Sequence, residues 1–266
     1  MNTSDLSGLW KRTLLALPDG YVDTTTTVFW LQGPACYADL RQPSGRPDFS
    51  AVSCLRDLER PQIEWMAQQE CFAGRLEADG AVFEWRRDLD YQPKTGGADA
   101  GRLSFDGDLL VEEGRDVPYV EHWRRAGDAS SPCVGVRLRE ATGERLGVIV
   151  RVGEVFMAAR GRPRTIAGQD RLPDRIGSAK DLIEAQDLVD MEVSFGVICA
   201  EGWFIERSSL PFREGVRFSA SHSEGLILTA DIGPDGTPIT RRWTVLDTDA
   251  SADSLAFPAL QPQLVQ

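Results

Sequence analysis

Histidine, the side chain best suited to proton transfer near neutral pH, occurs only at His122 and His222, too far apart in sequence to suggest a multi-histidine metal centre. His122 lies in Y-V-E-H-W-R-R at 119–125, where strand alternation sets it on the face opposite Tyr119, Glu121 and Trp123, so a surface histidine is the simpler reading. His222, in S-A-S-H-S-E-G, falls in or beside a turn. The five cysteines, Cys36, Cys54, Cys71, Cys133 and Cys199, are odd in number and contain no C-x-x-C pair, which points to reduced thiols rather than a disulfide framework or a zinc site. The chain has no G-x-S-x-G elbow, no G-x-x-x-x-G-K-[S/T] phosphate loop and no G-x-G-x-x-G, so the common hydrolase, nucleotide and dinucleotide signatures are missing. Asp106, Asp108, Glu112 and Glu113 lack the ordered oxygen set of a calcium loop and read as a solvated acidic hairpin. No catalytic residue, metal or cofactor is expected.

What remains is rings and charges on strand-like segments. Residues 24–41, T-T-T-T-V-F-W-L-Q-G-P-A-C-Y-A-D-L-R, read as two strands joined by a tight turn. Trp30, Tyr37, Asp39 and Arg41 on this hairpin all need partners wherever water is excluded, which makes it a candidate pocket wall. Glu84 and Arg86 share one strand face, with Phe83, Trp85 and Arg87 on the other. If the first face points inward, Glu84 and Arg41 can orient a polar ligand group; if it points outward, the Glu84–Arg86 face is ordinary surface. Trp10, Trp30, Trp85 and Trp123 fall on four strands of the first half, against Trp203 and Trp243 in the second. Converging rings either line a flat apolar site or pack a core. The expected ligand-binding set is Trp30, Tyr37, Arg41, Glu84, Trp85 and Trp123.

The elements that must position these residues are short strands and tight turns. Strands are expected at 8–16, on both arms of the 24–41 hairpin, at 69–77 and 81–88 around Asp79-Gly80, at 102–105 and 109–113 around Asp106-Gly107, and at 118–125. A short amphipathic helix is expected at 50–60, stopped by Pro61. Residues 126–132, A-G-D-A-S-S-P, have the composition of a linker. Beyond it, strands are expected at 133–140, 145–152, 155–160, 189–200, 203–208, 216–221, 225–231 and 239–246, with a helix at 179–185 capped by Ser178.

The halves overlay at a period of about 120 residues: F-A-G-R-L-E-A-D-G-A-V-F-E-W at Phe72 echoes F-G-V-I-C-A-E-G-W-F-I-E-R at Phe195, placing Gly80 on Gly202 and Glu84 on Glu206. The expected fold is mainly β: two calycin-like antiparallel barrels, at 1–129 and 130–249, each with a short helix after its third strand, and a loose tail at 250–266. A barrel of about eight strands is either filled by side chains or holds one small ligand.

The opening G-L-W-K-R, with Gly8, Trp10 and Arg12, is similar to the glycine-x-tryptophan start of lipocalin and calycin barrels. Y-V-E-H-W-R-R at 119–125, followed by C-V-G-V-R-L-R-E-A-T-G-E-R-L-G-V-I-V-R-V-G-E-V-F-M-A-A-R-G-R-P at 133–163, resembles the middle of a fungal family of casein-kinase-interacting proteins and their bacterial relatives. The resemblance implies a pair of calycin-like barrels and no established enzymatic activity. It supplies no catalytic residues, and the kinase link of the fungal members is not carried to this chain.

With 41 acidic against 29 basic residues and a net charge of −12, the chain is not a general binder of nucleic acid or anionic membranes. The first residues, M-N-T-S-D-L-S-G-L-W-K-R, lack the basic-then-apolar order of a secretion signal, and the apolar runs fall short of the roughly 20 residues a membrane helix needs. A cytoplasmic location is expected. The expected function is non-enzymatic binding of a small apolar or aromatic molecule in the first barrel. The alternatives are a cofactor-independent isomerase, cyclase or hydratase, and a protein-interaction module with filled barrels and a protein partner.

Overall fold

The computed structural model describes residues 1–93, 97–127, 130–249 and 255–257. The first half forms β1 (Gly8–Ala16), β2 (Val22–Asp23), β3 (Thr27–Gln32), β4 (Cys36–Gln42), β5 (Glu70–Asp79), β6 (Val82–Asp90), β7 (Ala100–Asp106), β8 (Leu109–Gly114) and β9 (Val120–Gly127). Apart from β2, which extends one end of β1, these strands pair antiparallel in chain order, and β9 pairs back onto β1. The result is a closed eight-stranded barrel.

The second half forms β10 (Cys133–Glu140), β11 (Leu146–Val152), β12 (Val155–Arg160), β13 (Glu192–Cys199), β14 (Gly202–Ser208), β15 (Ala220–Ser223), β16 (Leu226–Ile232) and β17 (Pro238–Thr248). Their order, β14-β13-β12-β11-β10-β17-β16-β15, gives a curled half-barrel rather than a second closed ladder. The segment before β15 spans the gap irregularly: Ile205 N–H donates to Val216 O, Phe218 N–H to Trp203 O, and Ala230 N–H to Ser219 O. The expectation of two barrels therefore holds as one barrel and one half-barrel.

Among the described residues three α-helices accompany the sheets: α1 (Arg60–Met66) between β4 and β5, and α2 (Leu172–Ser178) and α3 (Leu182–Leu188) between β12 and β13. Two expected helix limits are corrected. Pro61 begins α1 instead of stopping a helix over 50–60, because proline lacks only an N–H that the first turn leaves unpaired anyway. Ser178 ends α2, with its hydroxyl donating to Asp174 O; the true cap of α3 is Asp181, whose carboxylate accepts Glu184 N–H at 2.8 Å.

The hairpin of β3 and β4 is buried on both faces. Val28, Trp30 and Tyr37 point into the barrel, whereas Phe29, Leu31, Ala38 and Leu40 join the largest hydrophobic cluster, which lies between the two sheets. From the half-barrel that seam takes Val148, Val150, Met157 and Phe195, and from the helices Ile63, Met66, Ile176 and Ala185. Phe29 and Phe195 stack across it at 4.5 Å with only 6° between the rings. Asp249 fastens the β3–β4 turn to the half-barrel, accepting Ala35 N–H (2.9 Å), Cys36 N–H (3.2 Å) and Gly135 N–H (2.5 Å).

The expected linker falls between β9 and β10, with residues 128–129 outside the described ones. Of the expected loose tail, residues 250–254 and 258–266 lie outside the described residues, and the rest is anchored: Leu255 is buried in the half-barrel core and Phe257 packs on Trp203 at 5.2 Å. Among the described residues no helix is long and apolar enough to cross a membrane, and no group of His, Cys, Asp and Glu could hold a metal ion.

Candidate functional site

Alternation along β1, β3, β6 and β9 carries Trp10, Trp30, Trp85 and Trp123 into the barrel, where they meet one another rather than a void. Trp30 stacks on Trp10 at 6.0 Å and meets Trp85 and Trp123 edge-on at 5.7 and 5.4 Å; Tyr37 meets Phe72 at 6.1 Å. Trp10 and Trp30 are wholly buried and Trp123 is 1% exposed. Three indole N–H groups find internal acceptors: Leu6 O for Trp10 (2.7 Å), Gln32 Oε1 for Trp30 (3.2 Å) and Glu112 Oε2 for Trp123 (3.0 Å). Five of the six residues expected to bind ligand thus converge in one barrel, as packing. Glu84 stands apart on the outer face, paired with Arg86 at 2.8 Å.

A buried charge network shares the barrel with the rings. Arg12 bridges Asp23 (2.9 Å) and Glu121 (2.6 Å), and Arg41 bridges Asp39 (3.0 Å) and Glu121 (3.1 Å). The Arg41 guanidinium also lies over Phe72 and Trp123, at 5.0 and 5.7 Å. Glu112 sits directly opposite Glu121 in the β8–β9 register and accepts the Tyr119 hydroxyl at 2.6 Å. Burial, then the neighbouring Glu121, pushes the Glu112 carboxyl up to about 8. Burial likewise raises Asp39 to about 6 against the pull of Arg41. Asp23 moves the other way: burial opposes its charge, but hydrogen bonds from Thr26 and Thr25 hold it well below the usual carboxylate range. Among the described residues, Tyr37 Oη and Glu121 Oε2 are buried without a hydrogen-bond partner.

The sequence reading missed Arg12, Asp23, Glu112 and Glu121 as members of this network. A signal was present, since Glu121 shares a strand face with Trp123; the inward direction of that face was not legible.

The larger hollows lie outside the barrel. One, of about 580 Å³, runs along the seam between β6 and the segments before β11 and after β12, lined by the apolar residues Leu89, Leu146, Ile166 and Met191 and by Arg145, Arg162 and Arg164. A second, also about 580 Å³ and more open, lies at the barrel rim beside Pro18, Arg102, Arg115 and Tyr119. A third space, inside the half-barrel against Arg160, Asp231 and Trp243, measures about 30 Å³, enough for water and little else.

The fold matches that of the uncharacterized protein YLR301w from Saccharomyces cerevisiae. The match covers 91% of this chain and 98% of the yeast chain, at 13% sequence identity and a TM-score of 0.53. It is a likeness of fold. No protein-family model and no curated protein matches the chain.

Proposed function

We infer that this is a non-enzymatic small-molecule binding protein of the two-barrel calycin type, with its ligand in the seam groove and the closed barrel serving as scaffold. The observation that carries this is the contrast between the two places. The groove has the volume of a small-molecule site and combines apolar walls with fixed polar groups, whereas the barrel is occupied by its own tryptophans. The near end-to-end likeness in fold to the yeast chain and the resemblance of residues 119–163 to the fungal two-barrel family support the architecture; neither supplies a ligand or a partner. A thermal-shift screen with a metabolite panel tests the reading. A compound that raises the Tm of the native protein should lose its effect in Ile166→Trp, which fills the groove from a half-buried wall position. No stabilising compound, or one insensitive to Ile166→Trp, would sink it.

A second reading, cofactor-independent proton-transfer catalysis, is favoured by one contact at the rim. Tyr119 lines that hollow and donates to Glu112, a buried acid held near 8. Solvent-deuterium exchange into a ligand, lost in Glu112→Gln, would support it.

A further inference from the structure

Arg145 is only 9% exposed, yet among the described residues no carboxylate closely engages it. Its nearest acidic contact is Glu140 at 3.9 Å, and Glu140 is already bound by Arg241 at 2.9 Å. The other acids of the half-barrel interior are committed too: Asp190 to Arg160 at 2.8 Å, Asp231 to Arg241 at 2.5 Å, and Glu192 to Arg213 at 3.3 Å. Arg145 Nε is buried and donates to nothing among the described residues. A buried guanidinium in that condition is costly, and its neighbours add to the cost. Burial, then Arg160 and Arg241, pulls it down to about 10.

The same groove contains two more arginines. Arg162 is held by carbonyl groups: Nε donates to Leu188 O (2.7 Å), Nη1 to Asp90 O (3.2 Å) and Nη2 to Tyr91 O (2.7 Å). Among the described residues no carboxylate lies within ion-pair distance of it, although Asp190 and Asp90 are near enough to act on its charge. Arg164 is exposed on the same groove. Of the acids in the lining, Asp88 is bound by Arg137 (2.6 Å) and Asp90 by Arg87 (3.0 Å), while Glu144 is exposed to water. Three acids and three arginines line the groove; with Asp88 and Asp90 held by Arg137 and Arg87, a chain of net charge −12 presents there a hollow with apolar walls in which Arg145 and Arg162 have no close carboxylate among the described residues.

We propose that the seam groove takes a small organic anion, its carboxylate or phosphate group on Arg145 within the field of Arg162 and Arg164, and its apolar body against Leu89 and Ile166. This rests on reading the groove as the ligand site and adds the class of ligand. Arginine presents its N–H groups as a planar fork that suits either anion, and at Arg145 the Nε is already buried without an acceptor, so an anion on this guanidinium meets a group that water and protein have left partly unpaired.

The test uses three probes of one shape, benzoate, phenyl phosphate and benzamide, titrated calorimetrically at low ionic strength into the native protein, Arg145→Gln and Arg164→Gln. The arginine Nε–H resonances are followed in parallel. At least one anion should bind one-to-one, benzoate and phenyl phosphate separating the carboxylate and phosphate forms of the proposal, and benzamide should bind at least tenfold more weakly. The Arg145 Nε–H signal, identified by its absence in Arg145→Gln, should shift. Arg145→Gln should weaken anion binding roughly 10- to 100-fold without lowering the Tm, because it removes a cation from among cations; Arg164→Gln should weaken it by a smaller factor. Benzamide binding as tightly as the anions, lost in Ile166→Trp, would overturn the anion assignment while leaving the groove as a ligand site. No probe binding and no shift at Arg145 would remove both. Anion binding unchanged in Arg145→Gln would place the anion elsewhere.

Discussion

Glu112 and Glu121 face each other across β8 and β9 inside a closed barrel, an arrangement that cannot hold two full negative charges cheaply. With them are Asp23 and Asp39, against Arg12 and Arg41, so the acids outnumber the arginines they engage. Burial, then the neighbouring Glu121, raises the Glu112 carboxyl from 4.5 to about 8, which favours one proton held at this pair near neutral pH. Since the folded state keeps this proton while the unfolded chain releases it, the folded state binds more protons between about 4.5 and 8, and stability falls as pH rises through that window. Glu112→Gln, permanently neutral, should remove that loss. In urea denaturation from pH 5 to 8 the native protein should lose on the order of 1–3 kcal/mol relative to the variant. Arg41 behaves differently. Arg41→Met leaves Asp39 buried without its ion-pair partner and Glu121 with Arg12 alone, and should cost about 3–5 kcal/mol in the same assay.

At the level of elements, the internal echo of the sequence has a structural counterpart in two glycines. Gly74 on β5 and Gly196 on β13 each lie beside a register shift against the following strand. A Cβ on Gly74 would stand 1.9 Å from Arg86 O, and one on Gly196 would stand 2.2 Å from Phe204 O and 2.5 Å from the Phe156 ring. Both clashes involve backbone, so neither can be relieved by turning a side chain. Gly74→Ala and Gly196→Ala should each cost at least about 2 kcal/mol, read from the urea midpoint. Their separation equals that of Gly80 and Gly202, the pair from which the repeat was read. The strand periods and turn dipeptides were legible because the pleat and the tight turn impose them locally. The helix limits were not, since Pro61 suits the first turn of a helix as well as the residue after one, and Ser178 competes with Asp181 for the same role.

The molecule as a whole is organised around the seam. Its main apolar cluster belongs jointly to the barrel, the half-barrel and the helices, so neither half has its full complement of partners alone. Residues 1–129 expressed without the rest would expose Phe29, Leu31, Ala38 and Leu40 on one sheet face, an apolar patch of the kind that drives association. On size-exclusion chromatography the fragment should run as aggregate, and co-expression with 130–266 should recover a complex of full-length size. Phe29→Ala should cost about 3–5 kcal/mol through the lost stack on Phe195. From sequence, the hairpin at 24–41 was legible as a pair of strands rich in rings and charges, because propensity and alternation act between near neighbours. Which of its faces met the barrel interior and which met a second sheet depended on contacts far along the chain, such as Phe29 with Phe195 and Arg41 with Glu121. The sequence by itself determined a mainly β chain of two successive sheets and the residues that would need partners. Only the tertiary structure decided that those residues partner one another, that the second sheet stays open, and that Arg145 is left beside the seam without a close carboxylate, because side-chain neutralisation and closure are set by which distant strands meet.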